Sequence, residues 1–277
     1  MKLKKNIVSD SVKRALLEDG YKNDLSLKAK NINSKSNLKA SLISRENGIL
    51  SGSLWFEESF KLIDKKAKIK WNVTEGEVFK KDNIIAKINA SSHSILSGER
   101  TALNFLQLMS GISTKTNKYS KLLKNSNIEL LDTRKTLPGL RYEQKYSTFV
   151  GGAKNHRFGL FDAIMLKDNH LKAFGGIKKI KDIKFLKRGD FLEIEIDKLS
   201  QIKAALKSKP DILLLDNLNL SEIKKAISLI DNKCLIEVSG IKKPEDIKKY
   251  KDLPIHYISL GDLTKNIKAI DFSLNIS

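Results

Sequence analysis

Cysteine is almost missing from this chain of 277 residues; Cys234 is its one thiol. That excludes a disulfide framework and a zinc centre built on thiolates. Aromatic residues make up 7% against 40% apolar residues overall, so Ile and Leu must do most of the packing. No apolar run approaches the roughly 20 residues that a bilayer-spanning helix needs. The first residues, MKLKKNIVSDSVKRALLEDG, are basic but lack the apolar stretch of a secretion signal. These absences predict a cytoplasmic protein with no membrane partner. The length allows one large domain or two modest ones with a real core.

Arginine is scarce too. The net charge of +20 comes from 52 basic against 32 acidic residues, and only Arg14, Arg45, Arg100, Arg134, Arg141, Arg157 and Arg188 are arginines. The lysines are spread along the whole chain in pairs such as Lys80-Lys81 and Lys242-Lys243. That pattern reads as solvated faces, or as a bias of the whole genome, rather than as a nucleic-acid surface. Zinc-finger spacing and basic patches interleaved with aromatics are lacking, so no nucleic-acid partner is expected. Four of the seven arginines nevertheless fall between positions 100 and 157, with His156 and His170 in or just after that window. A guanidinium grips carboxylate or phosphate with two parallel hydrogen bonds, which lysine does not. The cluster points to an anion site.

The first hundred residues mix short elements. Residues 8–19 predict a helix, and the runs 38–45, 48–55, 67–73 and 83–90 predict strands of a small antiparallel sheet. From residue 97 the texture changes. A helical stretch over 97–124 is followed by apolar runs at 128–132, 163–167, 191–197, 211–217, 234–240 and 257–261. Lysine-rich amphipathic stretches at 177–187, 199–208 and 221–230 lie between them. Strands alternating with helices predict an α/β fold with a parallel sheet or barrel.

The carboxyl ends of these strands carry the polar residues that matter, because an α/β barrel builds its sites on that face. They are Asp132 with Arg134-Lys135, then Lys167, Glu195, Asp216, Ser239-Gly240 and Gly261. Cations at two strands would hold an anion. Carboxylates at the next two could take hydroxyls or a hydrated Mg²⁺, and the glycine turns could offer backbone N–H groups to phosphate.

The segments SGERTALNFLQLMSGIST (97–114), LDTRKTLPGLRYEQKYS (131–147), GGAKNHRFGLFDAIMLKDNH (151–170), EIEID (193–197) and LLLDNL (213–218) resemble nicotinate-nucleotide pyrophosphorylases, the quinolinate phosphoribosyltransferase family. The N-terminal ALLEDGYKNDLSL (15–27) is similar to that family as well. The resemblance implies a transferase that joins quinolinate to phosphoribosyl pyrophosphate and releases pyrophosphate, CO₂ and nicotinate mononucleotide, a step of NAD biosynthesis. It implies an N-terminal α/β sandwich over 1–98, joined by 266–277, and an incomplete parallel α/β barrel over 99–265. It also implies a homodimer or dimer-based oligomer in which one subunit covers its partner's barrel mouth, with Mg²⁺ arriving on the pyrophosphate substrate.

By the same resemblance, Arg134, Lys135, His156, Arg157 and Lys167 line the quinolinate pocket, and Arg100 reaches in from the partner. Arg141 is a weaker candidate that fixes the loop after Pro138-Gly139. Glu195 and Asp216 face the ribose and the metal, directly or through water, with Glu193 a weaker candidate on the same strand. Lys135, Lys167, Glu195 and Asp216 are the expected catalytic set. Ser239, Gly240 and Gly261 take the 5′-phosphate. Three departures stand out: Ala153 where the family writes a third Gly, Ile241 after Ser239-Gly240, and GDLTKN at 261–266. Asp262 there would repel a phosphate unless it points away or pairs with Lys265. A paralogue of the same fold tends to alter the DTRK and KDNH segments, and both are intact here.

Overall fold

The computed structural model describes residues 1, 3–28, 36–182 and 191–277. Along the chain run α1 (Lys5–Asp19), β1 (Asn37–Ser44), β2 (Gly48–Ile49), α2 (Ser53–Lys61), β3 (Lys68–Trp71), β4 (Val78–Phe79), β5 (Ile84–Ser91) and α3 (Ser92–Leu122). Next come β6 (Glu129–Leu131), α4 (Arg141–Val150), β7 (Ile164–Leu166), α5 (Asp168–Ala173), β8 (Leu192–Ile196), α6 (Ile202–Leu206) and β9 (Ile212–Asp216). The chain ends in α7 (Leu220–Ile230), β10 (Leu235–Ser239), β11 (Tyr257–Ser259), α8 (Asp262–Lys265) and β12 (Phe272–Ile276). Among the described residues no helix is long and apolar enough to cross a membrane.

Two compact units emerge: one is 1–117 with 137–152 and 266–277, the other 118–136 with 153–265. The expected division at residue 98 is therefore displaced. Residue 98 lies inside α3, one unbroken helix, and Leu103 and Leu106 beyond it pack into the first core with Phe56, Phe60 and Ile88.

The first unit holds an antiparallel sheet in the order β12-β1-β5-β3. Its strands alternate: Ala40, Leu42 and Ser44 of β1 are buried and their neighbours are not. The run 48–55 does not continue as a strand. After β2 the chain turns at Gly52, whose φ of 99° suits glycine, and α2 begins. Trp55, Phe56, Ser59 and Phe60 then form a helical stripe, which a reading that stopped at Trp55 misses. Glu75 anchors the start of this helix by accepting the N–H groups of Gly52 (2.7 Å) and Ser53 (3.0 Å). The buried face of α4 is polar: Glu143 and Ser11 accept the Trp55 indole N–H at 3.2 and 3.1 Å.

The second unit holds six parallel strands in the order β6-β11-β10-β9-β8-β7. First and last strands pair, as in a closed barrel, while β6 and β7 stand at the two ends of the order. The opening between them carries a parallel bridge from Leu131 to Lys154. All six expected strands are present, each shortened by two residues. One set of side chains, including Ile194, Ile196, Leu213, Leu215, Ile236 and Val238, forms the core beneath the helices. The stretch 199–208 folds as a 3₁₀ turn followed by α6, and 177–182 as a 3₁₀ helix, while 183–187 lie outside the described residues.

Candidate active site

The alternate strand residues face the barrel interior, and at the carboxyl ends of the strands they open into a cavity of about 430 Å³. Thr133, Arg134 and Lys135 line it after β6, and His156 and Arg157 come from the segment at the barrel opening. Met165, Lys167 and Asp168 line it from β7 and the start of α5. Glu195, Leu214, Asp216, Glu237, Ser239 and Ser259 complete the wall from β8 to β11. The structure thus brings together Arg134, Lys135, His156, Arg157, Lys167, Glu195, Asp216 and Ser239. Arg100 on α3 and Arg141 on α4 belong to the first unit and are not among these lining side chains.

Asp132 is the fixed point of the basic end. It is fully buried and accepts from the Asn155 side chain (2.7 Å) and from the His156 backbone N–H (2.9 Å). These bonds tie the NHR segment to the end of β6. Two guanidiniums then share the cleft. Burial pulls the Arg157 pKa down, and the neighbouring Arg134 charge pulls it further. Arg157 Nη1 donates to the Ala163 carbonyl (3.3 Å), whereas Arg134 Nε is buried without a hydrogen bond. An unpaired buried guanidinium N–H is costly, and a carboxylate or phosphate oxygen would relieve it.

Lys167 forms an ion pair with Glu195 across neighbouring strands β7 and β8. Asp216 accepts from the Ser239 hydroxyl (2.7 Å) and the Asn217 side-chain amide (2.6 Å). Gly240 follows with φ of 76°, and a Cβ there would lie 2.6 Å from the Asn217 backbone nitrogen. A side chain at Gly261 would meet Lys135 Cδ at 2.8 Å, so glycine there leaves the lysine its room. Neither glycine is among the cleft-lining residues; both shape the turns beside them.

Deeper in the barrel lies a group that sequence reading found only in part. His156 Nε2 sits 3.1 Å from Glu193 and 3.5 Å from Glu237, whose side chains are 1% and 0% exposed. Burial alone would lower the His156 pKa, but hydrogen bonds to these carboxylates raise it to about 9. Burial raises the Glu193 pKa, with Glu237's charge adding to it and His156 opposing. The Arg157 backbone N–H points at His156 Nδ1 (2.7 Å), so a neutral ring keeps its proton on Nε2. Glu237 went unnoticed in the apolar run CLIEVSG, although its place two residues before Ser239 puts both on one strand face.

His170, flagged in the sequence, accepts the Lys167 backbone N–H on Nδ1 (3.0 Å) and so holds the start of α5. Asp262 does not line the cleft. Its charge acts on Tyr119 and Glu245, and with burial and Glu245 it holds the Tyr119 pKa up at about 12.

Comparison with known proteins agrees with this architecture. Residues 21–110 match the profile of the quinolinate phosphoribosyl transferase N-terminal domain, and residues 112–275 that of its C-terminal domain. A probable nicotinate-nucleotide pyrophosphorylase (carboxylating) of Bacillus subtilis is 33% identical over 94% of this chain and 90% of its own. A mitochondrial quinolinate phosphoribosyltransferase (decarboxylating) of Nicotiana tabacum is 34% identical over 97% of this chain and 82% of its own. The solved nicotinate-nucleotide pyrophosphorylase of Francisella tularensis superposes with a TM-score of 0.92 at 37% identity, covering 100% of this chain and 98% of that one.

Proposed function

The chain belongs to the quinolinate phosphoribosyltransferase family, a family of decarboxylating pentosyltransferases, and we propose that its barrel cleft joins quinolinate to phosphoribosyl pyrophosphate. The observation that carries this reading is the pair of guanidiniums, Arg134 and Arg157, crowded into one cleft with Arg134 Nε unpaired. Quinolinate is a dianion, and it supplies the charge this end of the cleft needs. Lys135, His156 and Lys167 complete the cationic wall, and Lys167 is freed for it when Glu195 turns to the other substrate.

The reaction begins as the quinolinate ring nitrogen attacks C1 of the ribose and pyrophosphate leaves. Positive charge builds on the sugar ring, and Glu195 and Asp216 stand on the wall where they stabilise that charge and hold hydroxyls. The two carboxylates are hard oxygen donors facing an open cleft, which suits a water-bearing Mg²⁺ brought in on the pyrophosphate. Bound there, the ion would neutralise charge on the leaving group. Ser239 and the turns at Gly240 and Gly261 take the 5′-phosphate. Loss of the carboxylate beside the ring nitrogen then leaves a carbanion that the cationic pyridinium stabilises. The protein's part is to position the ring and exclude water, and Cys234 has no role.

The assay is direct. Protein incubated with quinolinate, phosphoribosyl pyrophosphate and Mg²⁺ is expected to yield nicotinate mononucleotide and CO₂, while nicotinate as the control acid yields none. No product from either acid, in a folded protein, would overturn the reading.

The working form is a cytoplasmic homodimer in which Arg100 enters the partner's cleft. Mixing Arg100→Ala with Lys167→Ala proteins is then expected to restore activity to about a quarter of wild type on random subunit exchange, because half the dimers are hybrids and each has one intact site. Absence of any rescue after verified exchange would count against the crossing.

A further inference from the structure

Two carboxylates buried in a barrel interior are costly unless positive charge and hydrogen bonds compensate them. Glu193 on β8 and Glu237 on β10 face each other there, and His156 Nε2 is the donor that reaches both. Glu193 Oε1 takes the hydrogen bond from Nε2 (3.4 Å), while both Glu237 oxygens and Glu193 Oε2 are buried facing that N–H without a hydrogen-bond partner. Asp132 holds the His156 backbone from the end of β6, and Arg157 beside it lends positive charge to Glu193. The ligand atoms of His156, Glu193 and Glu237 all lie within 4.8 Å of one another. Such a trio suits either a divalent ion or a positioned imidazole. The Nε2–H of His156 and the Arg157 charge already offset the two carboxylates in part, and His156 lies at the inner wall of the cleft.

We propose that Glu237, together with Glu193, is a positioning residue that acts through His156, holding the ring by its Nε2–H so that it presents one fixed, positively polarised face to quinolinate. Glu193 does not line the cleft and Glu237 lines it one pleat below Ser239, so in this reading both act on the ring rather than on a substrate. Their work is to fix the ring's rotation and the side of the ring that carries the proton, as outer groups do for a metal-ligating histidine. Only the kinetic part of this inference rests on the quinolinate reading.

The test is a cycle of Glu237→Gln, His156→Ala and the double variant. In the wild-type background Glu237→Gln is expected to raise KM for quinolinate about tenfold, the loss of one charge-assisted hydrogen bond. KM for phosphoribosyl pyrophosphate stays within about twofold. In the His156→Ala background the same substitution should change KM by less than about twofold, since its route of action is gone. A general structural role would instead multiply the two effects and overturn the proposal.

Stability supplies a reading that needs no substrate. His156→Ala strands two buried carboxylates, so adding Glu237→Gln is expected to raise its Tm by about 3–5 °C, although Glu237→Gln alone lowers that of the wild type. A further fall in the double variant would overturn the inference. The chain has four histidines, so imidazole ¹⁵N spectra of the wild-type protein are tractable. They are expected to show His156 protonated on Nε2 on both sides of its titration; a ring bare at Nε2 would overturn the assignment. So would one firmly bound divalent ion per chain, lost in Glu237→Gln, by elemental analysis of the purified protein.

Discussion

An Arg157→Ala protein is expected to lose about 100-fold in kcat/KM for quinolinate, with most of the loss in KM. The figure follows from deleting a partner of a carboxylate in a half-buried cleft, where a charged hydrogen bond contributes about 1.5–3 kcal/mol. Arg157 donates one N–H to the Ala163 carbonyl and shares the cleft with Arg134, so the remaining N–H groups are the ones available to substrate. KM for phosphoribosyl pyrophosphate should move little, because the guanidinium sits at the opposite wall from Asp216 and Ser239. Arg157→Lys should recover less than tenfold of the loss, since an ammonium gives no planar fork. Steady-state kinetics with each substrate varied in turn decide the matter, and a variant within about threefold of wild type would remove Arg157 from the pocket.

Gly111→Ala should give the largest stability change of any single methyl in the first unit. Alanine inside a helix normally gains about 1 kcal/mol over glycine. Here a Cβ at Gly111 would lie 2.1 Å from the Lys268 carbonyl oxygen and 3.2 Å from Ala269 Cα. Both obstacles are backbone, so no side chain can swing aside. The contact lies beside the hydrogen bond from Ile270 N–H to the Gln107 carbonyl (3.1 Å), which ties the chain to α3 just before β12. Overpacking typically costs 1–3 kcal/mol, and two backbone obstacles put this site at the upper end, so after the propensity gain a net destabilisation of about 2 kcal/mol is expected, with a fall in Tm of about 4–8 °C. Thermal unfolding followed by circular dichroism checks it; an unchanged or raised Tm would mean that propensity wins.

The barrel was the most legible part of the chain, for a physical reason. Strands buried beneath helices read as short, largely apolar runs, and Lys, Gly and Asn punctuate them here. The polar residues at or next to the carboxyl end of each strand fall at the mouth of the barrel, which is why Asp132, Lys167, Glu195, Asp216 and Ser239 are legible together. The same rule hides Glu237, which lies one pleat deeper than the strand end at Ser239. The start of α2 was lost for another reason: GILSGS has the alternation of a strand, and the turn at Gly52 depends on a φ that composition does not reveal. Helix α4 carries a run of buried residues that is largely polar, YEQKYST (142–148), so no apolar stripe announces it. Its place in the first unit follows from tertiary packing. The roles of Gly240 and Gly261 as shapers of turns needed the neighbouring Asn217 and Lys135 in place before they became visible.

Strand β12 has a bearing on how the molecule is born. It pairs with β1 from Ala40↔Ile276 to Ser44↔Phe272, so the outer neighbour of β1 is synthesised more than 200 residues after it. The whole barrel unit emerges from the ribosome in between. Through that interval β1 waits with one row of amides and carbonyls bare, an open edge to which a neighbouring nascent chain could add. The first unit therefore completes its sheet only after translation has passed residue 272, however early its helices form. The barrel unit, whose strands β7 to β11 each lie beside the next, can assemble in the order in which it is made.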